Sequence, residues 1–268
     1  MKGFLVRVGI DSSDDSGHWN APIDVSTNKY AYVPIIESEE KDKGIGGETS
    51  LIRPGYEEKY IQFQKCCKSL NTNLPAKFIK KPKYINAHLD PDFRYLTYGD
   101  QGERGKPLFK ELGEGDIIVF YTSFEPISPH EQRPLVYAII GLYILREKGR
   151  HAKDIKKEEW HFNAHTRREP QKDDFIFFGK KGKSGRLETC IPIGERDKNG
   201  KYYLRQYLYE EWGGFEYMPN RTPPKDNRLY IQRSGALPCF TNADKFYEWF
   251  QKEIIKTNNK LLPCNNLC

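Results

Sequence analysis

Two apolar runs near the middle of the chain place the tightest limit on its fold. Residues 116–121 and 135–145 are rich in β-branched and aromatic side chains, which favour strands over helices. A proline-bearing segment, residues 122–134, separates the two runs. We therefore expect them to pair as an antiparallel hairpin.

The rest of the chain alternates short strand patterns with amphipathic helical patterns. Further strands are predicted over residues 3–10, 30–36, 83–88, 175–178, 186–192 and 229–233. Helices are predicted over residues 56–70, 107–112 and 202–212, and another begins at Thr241, where Thr241 and Asp244 form a capping-box pattern. These patterns predict an α/β (α+β) fold with a mixed, largely antiparallel, barrel-like sheet and flanking helices.

The length and the cysteine content both indicate a chain that can fold without cross-links. A chain of 268 residues can bury a full apolar core without disulfides or metals. We expect a single domain over residues 1–256 and a polar C-terminal tail over residues 257–268. The six cysteines include no CxxC pair, so we expect free thiols.

Charge and hydropathy exclude a membrane protein. No apolar run approaches the roughly 18 to 20 residues that span a bilayer, and the N-terminal residues lack a signal-peptide pattern. We therefore expect a cytoplasmic protein with no membrane partner. The net charge of +6 favours nucleic acid or a nucleotide as the partner. The sequence does not indicate an oligomeric state.

The segment His88-Leu89-Asp90-Pro91-Asp92 carries a candidate catalytic set. In an extended chain the period of two places His88, Asp90 and Asp92 on one face. An imidazole beside two carboxylates suits a general acid/base pair or a divalent metal. The alternative is an Asp-Pro turn with solvated acids.

Residues 161–168 form a second polar segment with two possible geometries. An extended chain would place His161, Asn163, His165 and Arg167 on one side. A helix would instead place His161 and His165 on one face, at a spacing found in metal sites. Arg167 and the adjacent Arg168 suit bidentate contact with phosphate, or form a solvated face.

Other polar groups lie in predicted loops. Asp11 follows the first strand and Asn20 comes soon after it, in a region where strand-end loops commonly hold site residues. Arg186 and Arg233 stand beside small residues, so a phosphate could approach them closely, although turn chemistry also explains this pattern. The chain contains no GxGxxG, P-loop or GxSxG motif, which argues against a dinucleotide oxidoreductase, an ATPase and a serine hydrolase.

Seven short strings occur in order along the chain. They are VGIDSS ending at Ser13, WNAPID ending at Asp24, HLDPDF ending at Phe93, LTYGD ending at Asp100, GDIIVFY ending at Tyr121, YAIIGLY ending at Tyr143 and NAHTRR ending at Arg168. Together they resemble the third of the nucleotide-modification-associated domain families. The resemblance implies an intracellular factor linked to modified bases in phage, bacterial or archaeal genomes. The hairpin also resembles that of PUA- and EVE-type modules that bind modified bases.

We interpret these features as one polar pocket that acts on a nucleotide base. In the enzyme hypothesis Asp90 or Asp92 is the general base, His88 is the acid or a ligand to a divalent metal, and Asp11 is a second carboxylate. The residues expected to bind substrate are Asn20, Tyr98, Asp100, Tyr121, His165, Arg167, Arg168, Arg186 and Arg233. Among these, Tyr98 and Tyr121 would stack on an extruded base, and arginines would hold phosphate. The alternatives are a reader of modified bases and a metal-dependent nuclease.

Overall fold

The predicted hairpin lies within a mixed eight-stranded sheet. The computed structural model describes residues 1–10, 19–36, 60–80, 87–127, 134–232 and 237–262. The two hairpin strands, β7 and β8, pair antiparallel from Ile117 opposite Ile144 to Phe124 opposite Val136. The central prediction from the sequence is therefore confirmed.

The described elements alternate short strands with short helices. The strands are β1 (Gly3–Arg7), β2 (Ala21–Asp24), β3 (Lys29–Tyr30), β4 (Ile35–Ile36), β5 (Ala87–His88), β6 (Thr97–Gln101), β7 (Ile117–Pro126), β8 (Val136–Ile144), β9 (Arg150–His151), β10 (Asp174–Phe178), β11 (Gly185–Pro192), β12 (Gly194–Arg196), β13 (Tyr202–Leu204), β14 (Phe215–Met218) and β15 (Leu237–Phe240). The α-helices are α1 (Gln64–Lys68), α2 (Lys77–Lys80), α3 (Gly102–Glu111), α4 (Gln206–Glu211) and α5 (Ala243–Lys256). Single 3-10 turns cover Tyr60–Phe63, Ala152–Asp154, Lys157–Phe162, Ala164–Thr166 and Lys225–Asn227.

The first strand lies in the middle of the large sheet. The strand order is β11-β8-β7-β1-β15-β14, with β2 joining the far end of β7 and β3 pairing with β2. Strand β1 is parallel to β7 and antiparallel to β15. Its side chains alternate between two buried faces, so Phe4 and Val6 belong to one core and Leu5 to the other. The strand predicted over residues 3–10 is therefore present as β1, over Gly3–Arg7.

A second, smaller sheet covers one face of the large sheet. Its strand order is β6-β10-β9, and all its pairs are antiparallel. The ring of Tyr98 on β6 packs 5.2 Å from that of Phe120 on β7, measured between centroids. The opposite face of the large sheet packs against α4 and α5 through Trp212, Phe246 and Trp249. The two faces therefore have separate cores.

The fold class is a mixed α+β arrangement rich in sheet, as expected, but the barrel is absent. The described strands form an open sheet with β11 at one edge and β14 at the other, and they do not close into a barrel. The β7–β8 hairpin is part of this open sheet. A PUA or EVE relationship therefore stays a prediction.

Several element boundaries differ from those expected, since long-range contacts override local patterns. Pro107 lies inside α3 rather than at its start. Residues 202–204 form a strand rather than the first turn of a helix, because they pair with β12. Helix α5 is capped by Asn242, whose side chain accepts from the Lys245 amide at 3.2 Å, and not by Thr241.

Two further strand predictions are only partly met. Residues 30–36 divide between β3 and β4, which belong to different sheets. Residues 229–232 form no strand, although Tyr230 makes an isolated bridge to Tyr203.

The structure also bears on the predictions about cysteines and membrane-spanning segments. Cys67, Cys190 and Cys239 are free and buried, whereas Cys66 is disulfide-bonded, so the expectation of free thiols is wrong for Cys66. In the part of the chain that the structure describes, no helix is long and apolar enough to cross a membrane.

Candidate active site

Three buried side chains converge beside the small sheet, and we call them the His–Asp cluster. His88 ends β5, Asp90 follows two residues later, and His165 lies in the 3-10 turn Ala164–Thr166. One ring nitrogen from each histidine and one carboxylate oxygen lie within 4.8 Å of one another. The residues are only 8%, 9% and 5% exposed, so the carboxylate is not the solvated acid of a surface turn.

The two histidines of the cluster face each other through the same type of ring atom. His88 Nε2 and His165 Nε2 lie 3.2 Å apart, and the rings meet edge to face. His165 Nε2 is also 3.6 Å from Asp90 Oδ2. Two ring nitrogens at this distance either share one proton or share a ligand that accepts both lone pairs.

The two shortest hydrogen bonds that the described residues give to the Asp90 carboxylate both go to the same oxygen. Oδ1 accepts from the Gly99 amide at 2.8 Å and from Asn163 Nδ2 at 2.9 Å. The Tyr32 hydroxyl donates to the backbone carbonyl of Asp90 at 3.0 Å. These contacts direct the other carboxylate oxygen of Asp90, Oδ2, toward His165.

His165 is oriented from its other ring nitrogen. Its Nδ1 lies 3.0 Å from Asp174 Oδ1, at the start of β10. Asp174 Oδ2 accepts from the Gln171 amide at 2.8 Å, which fixes the carboxylate. Asn163 caps the 3-10 turn by accepting from the His165 amide at 2.9 Å. Since the same Asn163 side chain donates to Asp90, one amide group positions two members of the cluster.

Charge interactions keep a proton on His165. Burial lowers the pKa of His165, but the hydrogen bonds to Asp174 and Asp90 outweigh burial and raise this pKa to about 9. Burial raises the pKa of Asp174, but the hydrogen bond and charge of His165 outweigh it, and the net pKa lies below its usual value. At neutral pH His165 is therefore an imidazolium that lies between Asp174 and Asp90.

The side chains of His165 and Asn163 pack directly against Gly99 of β6. A Cβ atom at this position would lie 2.3 Å from His165 Cδ2 and 2.7 Å from Asn163 Oδ1. No side chain larger than hydrogen fits there without moving the imidazole. The glycine of the LTYGD string is therefore a packing requirement of the site.

Asp92 lies outside the cluster, in a separate ion network. It is fully buried, and its oxygens accept from Arg94 Nε at 3.2 Å, from Arg94 Nη2 at 2.9 Å and from Arg167 Nη2 at 3.1 Å. Its backbone also forms a bridge with Thr97. The geometry therefore gives Asp92 a structural position and does not support its predicted role as general base.

Two of the arginines predicted to hold phosphate, Arg167 and Arg168, have different surroundings. Arg167 is 6% exposed, and besides Asp92 it donates to the His161 carbonyl through Nε at 2.8 Å. Arg168 donates through Nη2 to Gln101 Oε1 at 3.1 Å and lies 3.3 Å from His165 Nδ1. Arg168 thus borders the cluster, whereas Arg167 stabilises the preceding 3-10 segment by binding the His161 carbonyl.

Tyr98 and Asp100 lie on the face of β6 that packs on the large sheet. The Tyr98 hydroxyl donates to Asp100 Oδ2, and Arg104 Nε lies 3.4 Å from the same oxygen. Burial raises the pKa of Tyr98 well above its usual value. Because Tyr98 is 3% exposed, its ring offers no free face for stacking a base.

The remaining predicted site residues are dispersed. Asn20 is buried and accepts from the Ser123 hydroxyl at 3.0 Å. Tyr121 belongs to the opposite core and donates to the Ile231 carbonyl at 3.1 Å, so it does not reach the cluster. Arg186 is buried with its guanidinium 5.5 Å from the Tyr30 ring centroid. Asp11 and Arg233 lie outside the described residues.

Sequence reasoning missed Asp174 and Tyr95 and did not select Asn163 or Gly99. The placement of Asp174 immediately before an apolar strand was a usable signal. Tyr95 is 42% exposed, with Phe162 at 5.0 Å and His161 at 5.2 Å between ring centroids and the Arg94 guanidinium 5.6 Å from its ring. We call this group the Tyr95 platform. Thr97 links it to the cluster, because its hydroxyl donates to the Phe162 carbonyl and accepts from Asn163, which also donates to Asp90.

Fold and site together define a mixed α+β protein with a buried histidine–carboxylate centre. The sequence model of the family described as nucleotide modification associated domain 3 matches residues 2–235 of 268. The chain belongs to this family, as the seven strings indicated. No curated protein and no solved structure matches the chain.

Proposed function

We propose that this protein modifies a base of a nucleic acid or nucleotide in the cytoplasm, with the His–Asp cluster as its catalytic centre. The observation that carries the proposal is the 3.2 Å approach of two buried imidazoles beside a carboxylate. Buried ionisable groups lower stability unless they are paired, and they concentrate at functional sites. Membership in a nucleotide-modification family supplies the substrate class.

The cluster is suited to moving a proton to or from a reacting base. A histidine whose pKa is set by two carboxylates can donate a proton, and Asp90 Oδ2 can accept one. Asp174 holds the ring of His165 in one orientation, as the third member of a catalytic set does. In this proposal His88 contacts the substrate together with Asp90, and Arg168 lies near enough to His165 to favour an anionic group.

The Tyr95 platform favours a nucleic acid over a free small molecule as the substrate. An exposed aromatic ring beside an arginine is the arrangement on which unpaired bases stack. The same observation supports the second candidate, a reader that binds a modified base without changing it. A nuclease has less support, because Asp92 is neutralised by two arginines and cannot serve as an additional metal carboxylate.

Nucleoside mass spectrometry of DNA and RNA from the native host tests the proposal. The gene is deleted and then restored as wild type, His88→Gln, Asp90→Asn, His165→Gln or the control His151→Gln, which changes a half-buried histidine outside the cluster and the Tyr95 platform. We expect a modified nucleoside with the wild type and the control only. Identical nucleosides in every strain contradict the enzyme proposal, and retained binding to a modified base would then favour the reader.

A further inference from the structure

We infer that the His–Asp cluster binds one divalent transition-metal ion through His88 Nε2, Asp90 Oδ2 and His165 Nε2. The inference rests on the proposed function for the identity of the site and adds the class of cofactor. It begins from the spacing of the three atoms, which lie within 4.8 Å of one another.

Two of the distances between the proposed ligand atoms are close to those around a bound ion. Metal–nitrogen distances of about 2.0–2.1 Å in a tetrahedral site place two ligand nitrogens about 3.3 Å apart. The two Nε2 atoms here are 3.2 Å apart, and Asp90 Oδ2 is 3.6 Å from one of them. An ion between them would replace the proton through which the imidazoles otherwise interact.

The ligand types select the class of ion. Two imidazoles and one carboxylate suit Zn²⁺, Fe²⁺ and similar ions, whereas Mg²⁺ and Ca²⁺ prefer sites made of oxygen atoms alone. Three protein ligands also leave at least one coordination position open. An open position is typical of catalytic sites, where water or substrate occupies it.

The groups behind the ligands provide the second argument. Asp174 lies 3.0 Å from His165 Nδ1, an arrangement in which Nδ1 carries the proton and Nε2 presents its lone pair. Asn163 and Gly99 both donate to Asp90 Oδ1, which turns Oδ2 toward the histidines. Histidine ligands in metal sites almost always have such a carboxylate or carbonyl partner.

Direct titration of the metal-free full-length protein tests the inference. The chain is stripped with a chelator and titrated with Zn²⁺, with Co²⁺, and with Fe²⁺ under anaerobic conditions, and binding is followed by calorimetry and elemental analysis. We expect one ion per chain and no comparable binding of Mg²⁺ or Ca²⁺. The absorption spectrum of the Co²⁺ form should lack thiolate charge-transfer bands in the near ultraviolet, which would show that no cysteine is a ligand.

Variants identify the ligands. His88→Gln, Asp90→Asn and His165→Gln should each weaken binding by more than about 100-fold, and Asp174→Asn by about 10- to 100-fold. His151→Gln, which changes a half-buried histidine outside the cluster, should bind as the wild type does. Circular dichroism checks that each variant is folded, and the Co²⁺ spectrum of the wild type tests the ligand set without any substitution.

Two outcomes overturn the inference: no saturable binding by folded wild-type protein, or equal affinity in all the variants. Failure of the proposed function is a separate result. Metal binding without any nucleoside change would leave the metal site standing and remove the catalytic role. Nucleoside modification by chelator-treated protein that binds no measurable metal would keep the catalytic role and remove the metal site.

Discussion

Asp90 and Asp92 stand two positions apart, yet their partners give them opposite roles. Asp92 is itself fully buried and neutralises Arg94 and Arg167, while Asp90 keeps one oxygen directed toward His165. Removing one partner of a buried ion network leaves an uncompensated charge and costs about 3–5 kcal/mol. Asp90→Asn preserves the acceptor for Gly99 and Asn163 and costs about 1 kcal/mol.

We therefore expect Asp92→Asn to lower the free energy of unfolding far more than Asp90→Asn does. Asp90→Asn should instead remove base modification while the protein stays folded. Denaturant unfolding of both variants, beside nucleoside analysis, measures the difference. Equal losses of stability would mean that Asp90 is as structural as Asp92.

Gly99→Ala should damage the site through a steric conflict. The new methyl group would lie 2.3 Å from a ring whose two nitrogens are both engaged, so the imidazole cannot turn aside. We expect a loss of about 1–3 kcal/mol in unfolding free energy and a loss of base modification. Gly113→Ala is the control, because the nearest atom to its Cβ is 4.0 Å away. Similar behaviour of the two variants would argue against this packing.

The raised pKa of His165 gives the metal-free protein a defined dependence on pH. The folded-state pKa of about 9 lies above the unfolded value of about 6.5, so protonation stabilises the fold. This contribution is complete below pH 6.5 and is lost as the pH rises through 9. Thermal melts in a chelating buffer from pH 6 to 10 should show falling stability in the wild type and a flatter profile in His165→Gln. Parallel profiles for the two proteins would contradict the assignment.

At the scale of elements, the sequence identifies the two segments of the site but not how they meet. The alternation of His88 and Asp90 predicts that they share a face, and both belong to the His–Asp cluster, whereas the turn from Asp92 to Thr97 carries Asp92 away from it. His161 and His165 share no face, because Asn163 has an extended backbone between two 3-10 turns. His88 and His165 are 77 residues apart in sequence, and local pattern contains no information about such a contact.

The Tyr95 platform is the element for which binding can be tested separately from chemistry. Stacking of a base on an exposed aromatic side chain contributes about 1–3 kcal/mol. We expect Tyr95→Ala to weaken binding of a single-stranded oligonucleotide by that amount, at fixed salt, without altering the thermal stability. Tyr207→Ala is the matched control, because Tyr207 is 57% exposed and belongs to α4. Equal weakening by the two variants would indicate diffuse binding.

At the scale of the whole molecule, the strands whose own residues favour β-structure were predicted well. Strands β1, β7, β8 and β10 follow runs of β-branched and aromatic residues, and these four strands and β11 were expected from the sequence. The open form of the sheet depends on which strands become its edges, and short segments do not encode this. The same limit explains β13, which becomes a strand because Tyr202 packs 4.8 Å from Tyr137 and pairs with β12.

The pairing of β1 with β15 also determines where this chain can be shortened. The family match ends at residue 235, but β15 begins at Leu237, and α5 follows it. Protein cut at the end of the match would lose the neighbour of the central strand and expose a long apolar edge, which is a template for aggregation. During synthesis the same edge stays uncovered until residues 237–240 emerge from the ribosome. Among the described strands, β1 is therefore made first but is among the last to be fully paired.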